Sequence, residues 1–379
     1  MTKTTRRELL KVIKERYLKA IKAEKTEILN EFCQSTGYNR LYAIRILQAG
    51  HQYQSFTRKR PSKYGAALLT LIIRIWELLE YPCGTRLKPQ LLPMLEALTR
   101  SKEILPVPEI QINQLRHISA KTLDRRLKRE REVRRLKRNR GTTRHGSLLK
   151  SSIPIRITNW DTRRIGFMEM DTVAHCDDNL SGEFIYSLDM VEIATGWSEQ
   201  IAVMGKGEQG IVTAIEEIKK GLPFELKGLD SDTGSEFVNW HMVKWCKENN
   251  LSFTRSRPYY KNDNAYVEQK NYTHIRQWLG YRRYDRPQQL ELINDLYRNE
   301  LRRFNNYFRP VMKVSSKQKV NNSVSKKKYG DALTPYQRLM NSKQIPLKIK
   351  TQLQKLYESL NPVKLKEAIK AKLKRIRES

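Results

Sequence analysis

The sequence is short of cysteine, short of acidic residues and without long apolar runs. Its four cysteines, Cys33, Cys83, Cys176 and Cys246, are scattered, and no two are spaced as Cys-x-x-Cys. That argues against a disulfide framework and against a Cys-based structural zinc site. The pair His175-Cys176 has no second pair placed to complete a zinc site and reads as a chance pairing of loop residues. No stretch approaches the ~18 apolar residues of a membrane-spanning helix. Met1 to Arg7 lead into a charged helix with no apolar signal core, so a soluble, cytoplasmic protein is expected.

Acids are outnumbered: 73 Lys and Arg stand against 40 Asp and Glu, a net charge of +33. Such a balance favours a polyanionic partner, nucleic acid above all. The charge is unevenly spread. Residues 121–150 hold thirteen bases and three acids, whereas residues 161–240 hold sixteen acids and six bases. An acidic island in a cationic protein repels a phosphate backbone unless bound cations neutralise it.

Periodicity divides the 379 residues into several domains. Residues 1–60 read as a helix-turn-helix unit, with the break at Ser35-Thr36-Gly37-Tyr38 and Arg40 and Arg45 on the second, groove-reading helix. Residues 61–140 form a second such unit, with Ser119 as N-cap and Lys121, Arg125 and Arg126 on the exposed side of a helix that runs on through a basic stretch to Arg140. Residues 141–160 are a basic linker. From Gly166 the period changes to two, so Glu169 and Asp171 share one face of a strand. Three strands, helix, strand (Pro223 to Leu229), helix, strand, helix then follow over residues 161–310. This is an α/β domain with a mixed five-stranded sheet, in RNase H-like order. Within it Trp197 reads as core. Residues 311–379 are a basic loop, Lys313 to Tyr329, and amphipathic helices whose packing partner the pattern does not name.

Three carboxylates stand out. Sixty residues separate Asp171 from Asp232 in Asp232-Thr233-Gly234-Ser235-Glu236-Phe237, and thirty-five separate Asp232 from Glu268. Asp171 lies on a strand, Asp232 ends a neighbouring one, and Glu268 reaches in from a helix. Hard oxygen donors in such a set suit two Mg²⁺ (or Mn²⁺) ions, which phosphodiester chemistry uses to activate the nucleophile and relieve the leaving oxygen. Glu169, two residues before Asp171, reads as one pleat too deep to join it, and Asp230, two residues before Asp232, reads as an auxiliary group. Asp177, Asp178 and Asp189 read as turn and strand-end acids.

These residues carry a resemblance. Asp171, Asp232 and Glu268, with Met170-Asp171-Thr172-Val173, Ala194-Thr195-Gly196-Trp197, Thr254-Arg255-Ser256-Arg257-Pro258-Tyr259 and Asn262-Asp263-Asn264-Ala265-Tyr266-Val267-Glu268-Gln269-Lys270-Asn271, resemble the DDE transposases and retroviral integrases. The match is to bacterial insertion-sequence transposases with an integrase catalytic core, over about residues 160–310. The resemblance implies nicking at transposon ends and attack of the freed 3′-hydroxyl on target DNA. It also implies two metal ions per site, a multimer of at least two copies, and a nucleoid-associated bacterial protein. Thr233 departs from the family's usual Asn. Arg255, Arg257, Lys261 and Lys270 are expected to contact the scissile strand, and Asn262 and Asn264 to bond phosphate or base. A nuclease of the same fold without strand transfer, and a DNA-binding repressor with an inactive core, are the alternatives.

Overall fold

The computed structural model describes residues 1–48, 64–134, 163–205, 207–231, 237, 239–255, 265–321 and 324–379, with backbone alone at 3, 265, 316–321 and 324–327. The chain forms two compact units, Met1–Lys63 and Tyr64–Ser379.

The described residues of the first unit form three helices, α1 (Lys3–Lys19), α2 (Lys22–Thr36) and α3 (Arg40–Gln48). The Thr2 hydroxyl accepts from the Thr5 N–H and starts α1. Gly37, at φ +70°, stops α2 in the left-handed cap that favours glycine. The helices close over Tyr17, Ile28, Leu29, Phe32, Ala43 and Leu47. Arg40 and Arg45 stay exposed on α3, the first bonded to Asn30 and the second lying 5.3 Å from the Tyr42 ring centroid.

The second unit opens with α4 (Ala66–Leu78), α5 (Gly84–Leu87), α6 (Leu91–Arg100), α7 (Glu109–His117), α8 (Ala120–Arg126) and α9 (Lys128–Val133). Ser119 caps α8, accepting from the Thr122 N–H at 3.1 Å. The expected single helix running to Arg140 is instead broken at Leu127, whose fully buried side chain anchors the junction, and residues 135–140 lie outside those described. Its bases are also better paired than their composition implies. Arg131 meets Asp124 at 2.8 Å, and Arg134 meets both Glu130 and Glu77.

A five-stranded sheet follows: β1 (Phe167–Ala174), β2 (Ile185–Glu192), β3 (Ser198–Met204), β4 (Gly228–Ser231) and β5 (Ser252–Arg255), in the order β3-β2-β1-β4-β5. The first three strands are antiparallel neighbours, and β4 and β5 add in parallel, so the sheet is mixed, as expected. The fourth strand starts five residues later than its expected Pro223. The stretch from Pro223 to Lys227 forms no ladder, and β4 begins at Gly228, where the Phe167 ring occupies the space of a Cβ.

Alternation gives the sheet two unlike faces. Met168, Met170, Leu188, Met190, Ile201 and Leu229 pack against Ile211 and Ile215 of α10 (Glu208–Gly221) and Met242 and Trp245 of α11 (Trp240–Glu248). Each such fully buried side chain contributes roughly 1.5–3 kcal/mol. The other face bears Glu169, Asp171, Ser187, Asp189, Gln200 and Asp230. It is covered by two interrupted helices. One runs α12 (Ala265–Lys270), a π-helical turn (Asn271–Arg276) and α13 (Gln277–Leu279); the other runs α14 (Pro287–Leu296), a π-helical turn (Tyr297–Leu301) and α15 (Arg302–Tyr307).

The segment read as a basic loop is a hairpin, β6 (Val314–Asn321) with β7 (Val324–Tyr329). Val314, Val320 and Val324 supply strand propensity, and the lysines between them hide the pattern. After α16 (Pro335–Asn341), the helices α17 (Leu347–Ser359) and α18 (Pro362–Glu378) pack on their own chain. Lys366 of α18 pairs with Glu80, and Lys372 reaches Asp295 at 2.5 Å and Glu300 at 2.7 Å. Arg377 donates to the Trp278 carbonyl at 3.2 Å, which braces α13 from behind.

Candidate functional site

Asp171 lies in the middle of the central strand β1, half-buried. Its carboxylate is already oriented: Oδ1 accepts from the Thr172 N–H at 2.8 Å and Oδ2 from the Asn271 side-chain amide at 2.6 Å. Asn271 stands three residues beyond Glu268, so this bond ties the Glu268 helix to the Asp171 strand. Glu268 itself is exposed on α12, which packs on β1 and β2. The parallel ladder between β1 and β4 ends with Met170 opposite Ser231, the residues immediately before Asp171 and Asp232. Asp232 and Thr233 lie outside the described residues.

Glu169 and Asp230 hold the frame. Glu169 is fully buried, and its Oε2 accepts the Tyr266 N–H at 2.9 Å and the Val267 N–H at 3.2 Å. Those are donors that the first turn of α12 cannot satisfy internally. A carboxylate there also meets the positive end of the helix dipole, together about 1–2 kcal/mol. Asp230, cross-strand neighbour of Glu169, accepts from the Thr254 hydroxyl at 2.5 Å.

Asp189 differs from its expected place. It is neither a turn nor a strand-end acid but sits fully buried in mid-β2, opposite Asp171. Gln200, opposite it on β3, donates to Asp189 Oδ1 at 2.8 Å. The Gln200 amide is 3.5 Å from His274 Nδ1, and His274 Nε2 is 3.3 Å from Lys270 Nζ. Burial raises the Asp189 carboxyl to about 7, and Lys270 opposes that shift. Burial lowers the Lys270 ammonium to about 7, helped by the charge of Arg309. His274 is held well below the ordinary histidine range by burial, then by Lys270 and Arg309, so it is neutral. His175 likewise falls to about 3 through burial and Arg276, its Nε2 bonded to Ser187 Oγ at 2.8 Å. Asn271, Gln200 and His274 join the site without any motif that assigns them to it. The buried spacing Val267, Lys270, His274, Ile275, Trp278 and Leu279 marks the inner face of that helix and was the available signal.

The expected nucleic-acid contacts fall into three groups. Arg40, Arg45, Lys121 and Arg125 are exposed, and Arg126 is half-buried. Arg255, at 4% exposure, and Lys270, at 9%, are buried. Arg257, Lys261, Asn262 and Asn264 lie outside the described residues. Among the described residues no three His, Cys, Asp or Glu side chains gather closely enough to hold a metal ion. The described part of the set, Asp171 and Glu268, offers carboxylate oxygens without thiol or imidazole, which suits a hard divalent cation.

No family model matches the chain. The catalytic core domain of BIV integrase superposes over 45% of this chain and 91% of that domain at 15% identity, with a TM-score of 0.28, below the level at which two folds count as alike. No helix among the described residues is long and apolar enough to cross a membrane. With 34% identity over 326 residues, spanning 85% of this chain and 92% of that protein, the chain belongs to the family of the uncharacterized protein y4rM of Sinorhizobium fredii.

Proposed function

We propose that the chain is a DDE-type transposase, a polynucleotidyl transferase that nicks DNA at transposon ends and joins the freed 3′-hydroxyl to target DNA. Its core is RNase H-like, and the helical units at residues 1–60 and 61–140 are helix-turn-helix DNA binders. One observation carries the reading: the 2.6 Å bond from Asn271 to Asp171 fastens the helix of Glu268 across the strand of Asp171. The mixed sheet, in which β4 ends one residue before Asp232, supports it.

Asp171, Asp232 and Glu268 would hold two Mg²⁺ or Mn²⁺ ions, which activate an oxygen nucleophile and stabilise the leaving oxygen. The chain's own part is positioning. Asn271 and the Thr172 N–H each occupy one lone pair of Asp171 and fix its plane. Glu169 holds the start of α12, the helix that carries Glu268, against β1. Arg40, Arg45, Lys121 and Arg125 supply exposed cations for the phosphate backbone, which sets register without reading sequence. Pairing two DNA ends calls for at least a dimer.

The test is strand transfer in vitro with the element's own flanking ends and Mg²⁺ or Mn²⁺, wild type beside Glu268→Gln. The wild type should give nicked and joined product. The variant should fall by on the order of 10³-fold or more, since several kcal/mol of charge stabilisation is lost. Equal product from both would sink the proposal, and nicking without joining would reduce it to a nuclease. A gentler substitution, Asn271→Ala, frees one oxygen of Asp171 to rotate. The Mg²⁺ concentration for half-maximal nicking should rise about 10- to 100-fold while DNA affinity stays within about twofold. An unchanged Mg²⁺ titration would remove Asn271 from the site.

A further inference from the structure

Lys270 lies two residues beyond Glu268, where a cation beside a DNA-cleaving site would ordinarily be assigned to phosphate. Its surroundings say otherwise. The side chain turns inward from α12, its Nζ lies 3.3 Å from His274 Nε2, and His274 is fully buried. Beyond His274, the Gln200 amide nitrogen packs 3.5 Å from Nδ1 and donates to Asp189 Oδ1 at 2.8 Å. Asp189 stands opposite Asp171 in the β1–β2 ladder. The second oxygen of Asp189 and the amide oxygen of Gln200 are buried and make no hydrogen bond among the described residues. A buried carboxylate left short of donors is stabilised by a compensating cation nearby or by taking up a proton. The π-helical turn beginning at Asn271 lets Lys270 and His274 face the sheet while Asn271, between them, reaches Asp171.

We propose that Lys270 is a positioning residue, the buried counter-charge that locks the Glu268 helix onto the sheet through His274, Gln200 and Asp189, and not a DNA contact. Asn271 and Glu268, on the same helix, take their places from that lock. For the role of Glu268 the inference rests on the proposed function, but the charge coupling itself does not.

The experiment uses the full chain with Lys270→Met, Asp189→Asn and the double substitution, each measured three ways. In thermal melting, each single variant strands one buried partner, so the double variant should lose less than the larger single loss. Additive losses overturn the proposal, and this arm needs neither metal nor DNA. In Mn²⁺ titration calorimetry, Lys270→Met should weaken binding about 10- to 100-fold and the double variant should recover most of it. No weakening in the single variant overturns the positioning role. In duplex binding across a salt series, Lys270→Met should keep the wild-type slope of log affinity against log salt, whereas a phosphate contact would lower it by about one. A lowered slope overturns the proposal. If Lys270→Met does not fold, the double variant, which strands no charge, carries the salt-slope arm with the same criterion. Wild-type protein that neither binds Mn²⁺ nor nicks DNA would sink the proposed function while the melting arm still decides the lock.

Discussion

Asp171→Asn should abolish metal-dependent nicking while leaving the melting temperature almost unchanged. The substitution keeps shape and removes one negative charge in the middle of β1. A loss of several kcal/mol of charge stabilisation corresponds to a rate fall on the order of 10³-fold or more. Stability survives for a reason specific to this site. Asp171 presents one oxygen to the Thr172 N–H and the other to the Asn271 amide nitrogen. An asparagine there keeps its oxygen on Thr172 and turns an NH₂ toward Asn271. The Asn271 Oδ1, which makes no hydrogen bond at present, can meet that NH₂ after an amide flip. The exchange should cost no more than about 1 kcal/mol. DNA affinity should hold or rise, because a carboxylate facing the phosphate path is gone. Rates at saturating Mg²⁺ and melting curves decide it. A variant within tenfold of the wild-type rate would show that Asp171 is not part of the reacting site.

Gly84→Ala is expected to be the most damaging single methyl in the second unit. A Cβ at Gly84 would stand 2.1 Å from the Ala120 carbonyl oxygen and 2.9 Å from Asp124 Oδ2. The first of these is backbone at the start of α8 and cannot swing aside. The Gly84 N–H also donates to Asp124 Oδ1 at 2.8 Å, so moving α5 away breaks a part-buried bond as well. Overpacking of this kind costs about 3 kcal/mol. Gly210→Ala is the matched control in the same compact unit. It lies inside α10 with nothing within 4 Å of its Cβ position, so alanine should add about 0.5–1 kcal/mol. Urea unfolding of the three proteins reads both. Coincident midpoints for Gly84→Ala and wild type would mean that α5 and α8 do not pack this closely.

What could be read in advance follows from which physical signals are local. Strand alternation around Asp171 and the helical spacing through Glu268 are local, and both elements are where the pattern puts them. Charge is a poorer guide. A lysine reads as solvent-exposed by default, yet Lys270 is buried against His274, and the strand residue that His274 meets, Gln200, lies seventy-four positions away in sequence. The reverse error hid the hairpin at Val314–Tyr329, where lysines covered an ordinary strand-turn-strand pattern. The α17–α18 pair showed an apolar face, but an amphipathic face does not name its partner. That partner is the chain's own helices, with Glu80 and Asp295 receiving its lysines. Asn271 was in plain sight within a quoted motif. Nothing in its spacing distinguishes an amide that orients Asp171 from one that faces water.

The unlike faces of the sheet put neighbouring residues of β1 under separate evolutionary constraints. Met168 and Met170 answer to volume: any side chain that fills the space beneath α10 and α11 preserves them in effect. Glu169 and Asp171 answer to charge and donor count, and a substitution of equal size fails if it cannot accept the same hydrogens. Drift along this strand is therefore expected to be permissive and strict by turns, one residue at a time, with the methionines free to wander among apolar residues while the acids between them stay fixed.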